Sequence, residues 1–247
     1  MLPSFTDILN ISRTGMLSRT QNMDIISNNL ANVNTPAFKQ TRGNFQELLE
    51  NTSKKVKGTL LSNTQRDLKQ GDLEASDSPY HLAIYGEGYF SVTLPDNTKA
   101  YTRDGLFQLD AQRNIVNADG YRLVWNGSIP ENTQAVQINE QGVVSVMVNN
   151  QWRDVGRIQL TNFTNPLGLI AIGDNLFIES EASGTPQTNN ADSNGLGKII
   201  SHSREASNVN WAEQVTQMMI TQRGFQLSLR TFQQTDTMLG LALALRR

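Results

Sequence analysis

The chain has 247 residues, room for one large domain or two modest ones, with 38% hydrophobic and 18% charged residues. A formal net charge of −2 offers no basic footprint for nucleic acid, and the absence of cysteine removes disulfides, thiolate nucleophiles and Cys-based zinc sites. The opening MLPSFTDILNISRTG lacks the basic and apolar regions of a secretory signal, and no apolar run reaches the length of a membrane span, so direct membrane insertion is not expected.

Residues 1–45 carry the first element. A heptad begun at Leu2 places Leu2, Phe5, Leu9, Met16, Met23, Ile26, Leu30 and Val33 at positions a and d, interrupted by Ser12 and Arg19. Such a helix spans roughly 50 Å, longer than a compact domain of the remaining chain. Asn34-Thr35-Pro36 closes it, because the residue before a proline avoids the α region. Four asparagines crowd this end, and Asn28, Asn29 and Asn32 all fall outside a and d. They are expected to face sideways, where amides can meet a neighbouring subunit; Asn32 and Asn34 also suit a fraying, capped helix end.

Residues 46–80 read as an extended polar linker with a basic run, Lys54-Lys55-Val56-Lys57. From residue 81 to about 200 the period changes to short runs rich in Val, Ile, Tyr and Phe. Asp104-Gly105, Asp119-Gly120, Asn126-Gly127 and Gln141-Gly142 punctuate them as turns, and Val144, Val146 and Val148 alternate as in a half-buried strand. These features predict a meandering antiparallel β domain, followed by a polar loop after Glu179.

Residues 201–247 return to helix. Asn210-Trp211-Ala212-Glu213 suits an N-cap with an acidic residue three positions on. Trp211, Val215, Met218, Phe225, Leu229, Phe232, Leu239 and Leu243 sustain a second heptad, interrupted by Gln222 and Asp236. The two ends therefore mirror each other. The fold class predicted is α+β: long paired N- and C-terminal coiled-coil helices carrying an inserted antiparallel all-β domain. The expected intrachain seam is Leu9, Met16, Met23, Ile26 and Leu30 against Trp211, Met218, Phe225, Leu229, Phe232 and Leu239. The heptads alone leave open whether the helix partners lie within one chain or between chains.

Chemistry is sparse. His81 and His202 lie on opposite sides of the β block, without metal-ligand spacing. Tyr85-Gly86-Glu87-Gly88-Tyr89 lacks the third glycine and the strand-to-helix context of a phosphate cradle, so a tight turn is the better account. The carboxylate pairs Asp72/Glu74 and Glu179/Glu181 sit in polar segments with nothing to desolvate either member. No catalytic, cofactor or metal site is expected.

Four stretches then carry a family resemblance: NMDIISNNLANVNTPAFKQ (Asn22–Gln40), LAIYGEGYFSV (Leu82–Val92), AYTRDGLFQLDAQRNIVNADGYRLV (Ala100–Val124) and SNVNWAEQVTQMMITQRGFQLSLRTFQQTDTMLG (Ser207–Gly240). Together they resemble the bacterial flagellar axial proteins of the rod and hook group, most closely the basal-body rod proteins, of distal or proximal type. The resemblance implies terminal helices that build an inner axial core, with the β domain outside. It further implies type III export without a cleaved signal, assembly in the periplasm with copies of itself and related rod and hook proteins, and torque transmission. The rival readings are a non-filamentous coiled-coil oligomer displaying a β binding module, and a cell-wall glycan hydrolase.

Overall fold

A computed structural model describes residues 5–49 and 56–244. Leu2, Lys54, Lys55, Arg246 and Arg247 lie outside the described residues. The chain divides into two compact units: residues 1–33, 40–67 and 209–247 form the first, and residues 34–39 and 68–208 the second.

In the first unit, helix α1 (Phe5–Ala31) and helix α2 (Trp211–Ala244) are joined by a hairpin of strands β1 (Thr41–Leu49) and β2 (Val56–Arg66). The hairpin pairs from Thr41↔Arg66 to Leu49↔Val56, with irregularities at Asn44/Phe45 and Leu48/Leu49. Residues 41–49 and 56–66 are therefore a paired element of the helical unit, where the sequence suggests the helical segment up to residue 45 and a linker from residue 46. Side-chain bonds explain the difference. Ser18 Oγ donates to Thr59 O at 2.8 Å, and Asn29 holds both backbone groups of Thr41, all on a polar stretch without a strand-like apolar period. Gly58, at φ 129°, lies so close to α1 that an added Cβ would stand 1.8 Å from Thr14 Oγ1. Only glycine tolerates both the dihedral and the approach.

Helix α2 starts on a side-chain cap, with the Glu213 N–H donating to Asn210 Oδ1 at 3.1 Å. Helix α1 ends at Ala31, where the Asn32 N–H is shared between the carbonyls of Asn28 and Asn29, both at 3.2 Å.

The second unit is antiparallel β. One seven-stranded sheet runs in the order 170–173, 176–178, 99–102, 90–93, 122–123, 115–116, 108–109. A five-stranded sheet orders 125–127, 151–162, 143–148 and 135–138, with 187–190 also pairing to 151–162. Two small ladders join 82–85 to 198–201 and 73–75 to 203–205. The core is packed from Leu82, Ile84, Phe90, Phe107, Val144, Ile158, Leu160 and Ile199, with Phe90 meeting Phe107 edge-on at 5.3 Å. Val144 and Val146 point inward from their strand, as alternation predicts, while Leu82, Ala83 and Ile84 are buried in succession.

Turns follow residue chemistry, not glycine alone. Gly120 and Gly142 adopt positive φ at hairpin turns, and Gly86 and Gly88 turn the chain between strands 82–85 and 90–93. Asn126-Gly127 instead lies inside a strand, where a Cβ on Gly127 would meet Val155 O at 2.5 Å. Two hairpins turn on Asn149-Asn150 and Asp174-Asn175, with all four residues at positive φ, as a two-residue primed turn requires. Asp104 makes a local turn by accepting the Leu106 N–H at 3.0 Å. Burial pushes its carboxyl above the usual range, opposed by that N–H; Asp119 adds to the rise, and His81 lowers it.

Candidate assembly surface of the terminal helices

A line of small and polar residues runs between α1 and α2. Asn22 Nδ2 donates to Thr221 Oγ1 at 3.1 Å, and Asn29 Nδ2 stands 3.3 Å from Gln214 Oε1. A Cβ on Gly15 would sit 3.5 Å from Ser228 Oγ, and one on Gly224 would sit 2.8 Å from Arg19 Cζ. Each seven-residue step along α1, from Gly15 to Asn22 to Asn29, is matched by a seven-residue step back along α2, from Ser228 to Thr221 to Gln214. The helices therefore run antiparallel in one constant register.

This line is displaced by one residue from the apolar heptad on each helix. Gly15, Asn22 and Asn29 immediately precede Met16, Met23 and Leu30; Gly224 and Ser228 precede Phe225 and Leu229. One residue is about 100° of helix rotation, so the apolar rows flank the closest approach. The buried side chains are Ser12, Ser18, Ile26 and Asn29 on α1 and Gln214, Thr221 and Thr235 on α2. Of the expected seam residues, Ile26 is buried, and Leu9, Met16, Met23, Leu30, Met218, Phe225, Phe232 and Leu239 are half-buried. Trp211 and Leu229 are exposed, at 60% and 37%. Steric size explains the displacement: hydroxyls, amides and glycine let the backbones come close, and bulky side chains sit where there is room.

The asparagines separate in the same way. Asn29, expected to reach a neighbour, is only 2% exposed, and its bonds run to Gln214 and Thr41 of its own chain. Asn32 Nδ2 turns back to Asn28 O at 2.9 Å, and Asn28 remains exposed. Sequence reasoning missed this because it set the heptad by bulk.

On α2 a separate row faces solvent. Ile220, Leu227 and Leu241 recur at multiples of seven residues and are 53%, 63% and 62% exposed, with exposed Arg223 and Arg230 interleaved. On α1 the outward row carries Leu17, Asp24 and Ala31, also exposed and also spaced by seven. Both rows thus place apolar side chains on the solvent side of a helix at helical spacing. Among the described residues no helix is long and apolar enough to cross a membrane, and no cluster of metal-ligating side chains occurs.

Terminal helices that pair with each other, with an antiparallel β domain inserted between them in sequence, define the class of protein, and comparison with known proteins agrees along the chain. The model of the flagella basal body rod protein matches residues 9–39. That of the flagellar hook protein FlgE/F/G D1 domain matches residues 83–146, and that of the flagellar basal body rod FlgEFG protein C-terminal matches residues 201–245. The flagellar basal-body rod protein FlgG of Borreliella burgdorferi is 36% identical, over 95% of this chain and 96% of its own. The protein of the same name from Buchnera aphidicola subsp. Acyrthosiphon pisum is 38% identical over 97% and 98%, and that of Caulobacter vibrioides 36% over 96% and 98%. The chain belongs to the flagellar basal-body rod protein family.

Proposed function

We propose that this rod-family chain, a structural subunit of the flagellar basal body, polymerises helically through the outward rows of its terminal helices and so transmits torque. The observation that carries this is the exposed row Ile220, Leu227 and Leu241 with Arg223 and Arg230 between. Its occupant is a neighbouring copy of the chain or a related rod or hook protein, presenting the α1 row with Leu17 for the aliphatic side chains and Asp24 for the arginines. One helix surface meeting a different one is a heterologous contact, which propagates a filament instead of closing a dimer. In the polymer the half-buried apolar rows, Met16, Met23, Met218, Phe225 and their neighbours, complete a coiled-coil layer beside the polar line, and Asn28 supplies a lateral amide.

The role is structural and not catalytic. The subunit reaches the periplasm through the flagellar type III export apparatus without a cleaved signal, and takes its place in the proximal or distal rod. Concentrated protein, heated and cooled, is then viewed by electron microscopy. Filaments or tubes are expected, and a discrete closed oligomer would overturn the reading in favour of a coiled-coil-borne binding module. Clearing of peptidoglycan in a zymogram would instead point to the glycan hydrolase. Immunogold labelling of isolated basal bodies assigns the rod segment.

A further inference from the structure

The chain passes between its two units after residues 33, 39, 67 and 208, so the second unit receives its connections at residues 34–39, 68–72 and 205–208. Within that unit these three segments converge on one buried carboxylate. Glu205 is 1% exposed. Its Oε1 accepts from Lys39 Nζ at 2.5 Å and from the Gly71 N–H at 3.0 Å. Lys39 Nζ also donates to Lys69 O at 2.7 Å. On the other side, Arg103 Nη1 stands 3.5 Å from Glu205 Oε2, while its Nη2 donates to Gly86 O at 2.7 Å and its guanidinium lies 5.5 Å over the Tyr89 ring. Backbone bonds run alongside: the Ala37 N–H to Glu205 O, the Ala206 N–H to Asp72 O, and the Asn208 N–H to Phe38 O.

We propose that the Lys39–Glu205–Arg103 cluster is a junction clamp, binding the connecting segments of the β unit to one another and, through Arg103, to the turn between strands 82–85 and 90–93 at Gly86 and Tyr89. Burying one acid and two bases is costly and adds little net stability over an apolar core. Its return is geometric. Each partner lies on a different segment, and neutralising the shared Glu205 leaves two buried cations uncompensated in a low-dielectric site. Any force entering along one connection is therefore shared among all three and passed to the core. The clamp stands on the chain's own geometry; only its mechanical use rests on the rod reading.

Amide hydrogen exchange on the isolated full chain tests it. Glu205→Gln keeps the shape and removes the charge. Exchange at Ala37, Gly71, Ala206 and Asn208 should accelerate by roughly 100-fold, while Val92 and Ile158 in the core change little. Unchanged exchange at the four junction amides, or an equal rise in junction and core, would overturn the clamp. Should Glu205→Gln fail to fold, Lys39→Met, which keeps the Glu205–Arg103 pair, decides by the same comparison with a smaller acceleration. In cells, Lys39→Met should assemble and swim normally in dilute medium but lose speed as viscosity rises; equal speeds at every load overturn the mechanical role. Failure of the wild-type chain to form filaments would defeat the rod reading without touching the exchange result.

Discussion

Asn29 and Gln214 meet across the two terminal helices, Nδ2 to Oε1 at 3.3 Å, while the same asparagine also binds both backbone groups of Thr41. One buried side chain thus joins α1, α2 and the hairpin. Asn29→Ala leaves the Thr41 N–H and the Gln214 amide without this partner and is expected to cost about 1–3 kcal/mol. Asn28→Ala, one residue away and exposed, should stay within about 0.5 kcal/mol in the monomer. Urea unfolding of both variants checks the contrast, and equal losses would place the two asparagines in equivalent surroundings.

Gly58 and Gly173 separate two costs of a side chain at positive φ. Both glycines lie there, at 129° and 104°, but a Cβ meets Thr14 only at Gly58; nothing lies within 4 Å at Gly173. Gly173→Ala should cost roughly 1–2 kcal/mol, the dihedral penalty alone. Gly58→Ala adds displacement of α1 and should cost roughly 2–4 kcal/mol. Thermal unfolding with matched baselines measures the difference, and similar melting points would refute the close approach.

The outward row of α2 should matter to assembly and not to folding. Leu227→Glu changes a residue that is 63% exposed, so its effect on monomer unfolding should be within about 0.5 kcal/mol. Filament formation should fall sharply, because a carboxylate would be buried in an apolar contact. Normal filaments in the electron microscope from a stable Leu227→Glu subunit would remove this row from the interface.

Asp104 gives a pH dependence with a definite sign. Burial raises its carboxyl pKa in the folded chain, so the protonated form is the one the fold favours. Its contribution is fully present below the unfolded aspartate value, about 3.9, and is lost as pH rises through the raised folded value. Asp104→Asn keeps an acceptor for the Leu106 N–H and cannot ionise. The variant should melt higher than wild type at pH 7, with the gain shrinking as pH falls towards 4. A gain independent of pH would assign the effect to something other than this carboxyl.

Helix ends and most strands are legible where a single local rule acts. The Asn210 cap, the stop before Pro36 and the inward Val144 and Val146 each follow from one residue type in one pattern. The pairing of strands 41–49 and 56–66 is not legible in this way, because Ser18 and Asn29, distant in sequence, supply its anchoring bonds. In the helix seam the bulky heptad is the visible pattern, yet Gly15, Gly224 and Thr221 allow the close approach by being small. Asn149-Asn150 and Asp174-Asn175 turn without glycine, since Asn and Asp tolerate left-handed backbone. Nor did any spacing rule point to Lys39 and Glu205, whose partnership exists only once the chain has folded.

An interface lined by Asn22, Thr221, Asn29 and Gln214 has a further property that one of interchangeable leucines would lack. Sliding α1 along α2 by a single turn would set amides and hydroxyls against the wrong neighbours, and each lost pairing would register as a penalty. Small or polar side chains recur every seven residues on both helices, so the next tolerable alignment lies roughly 10 Å away along the axis. The helix pair therefore behaves as a ratchet with coarse teeth: it holds one setting under modest axial load, and any slip it suffers is stepwise.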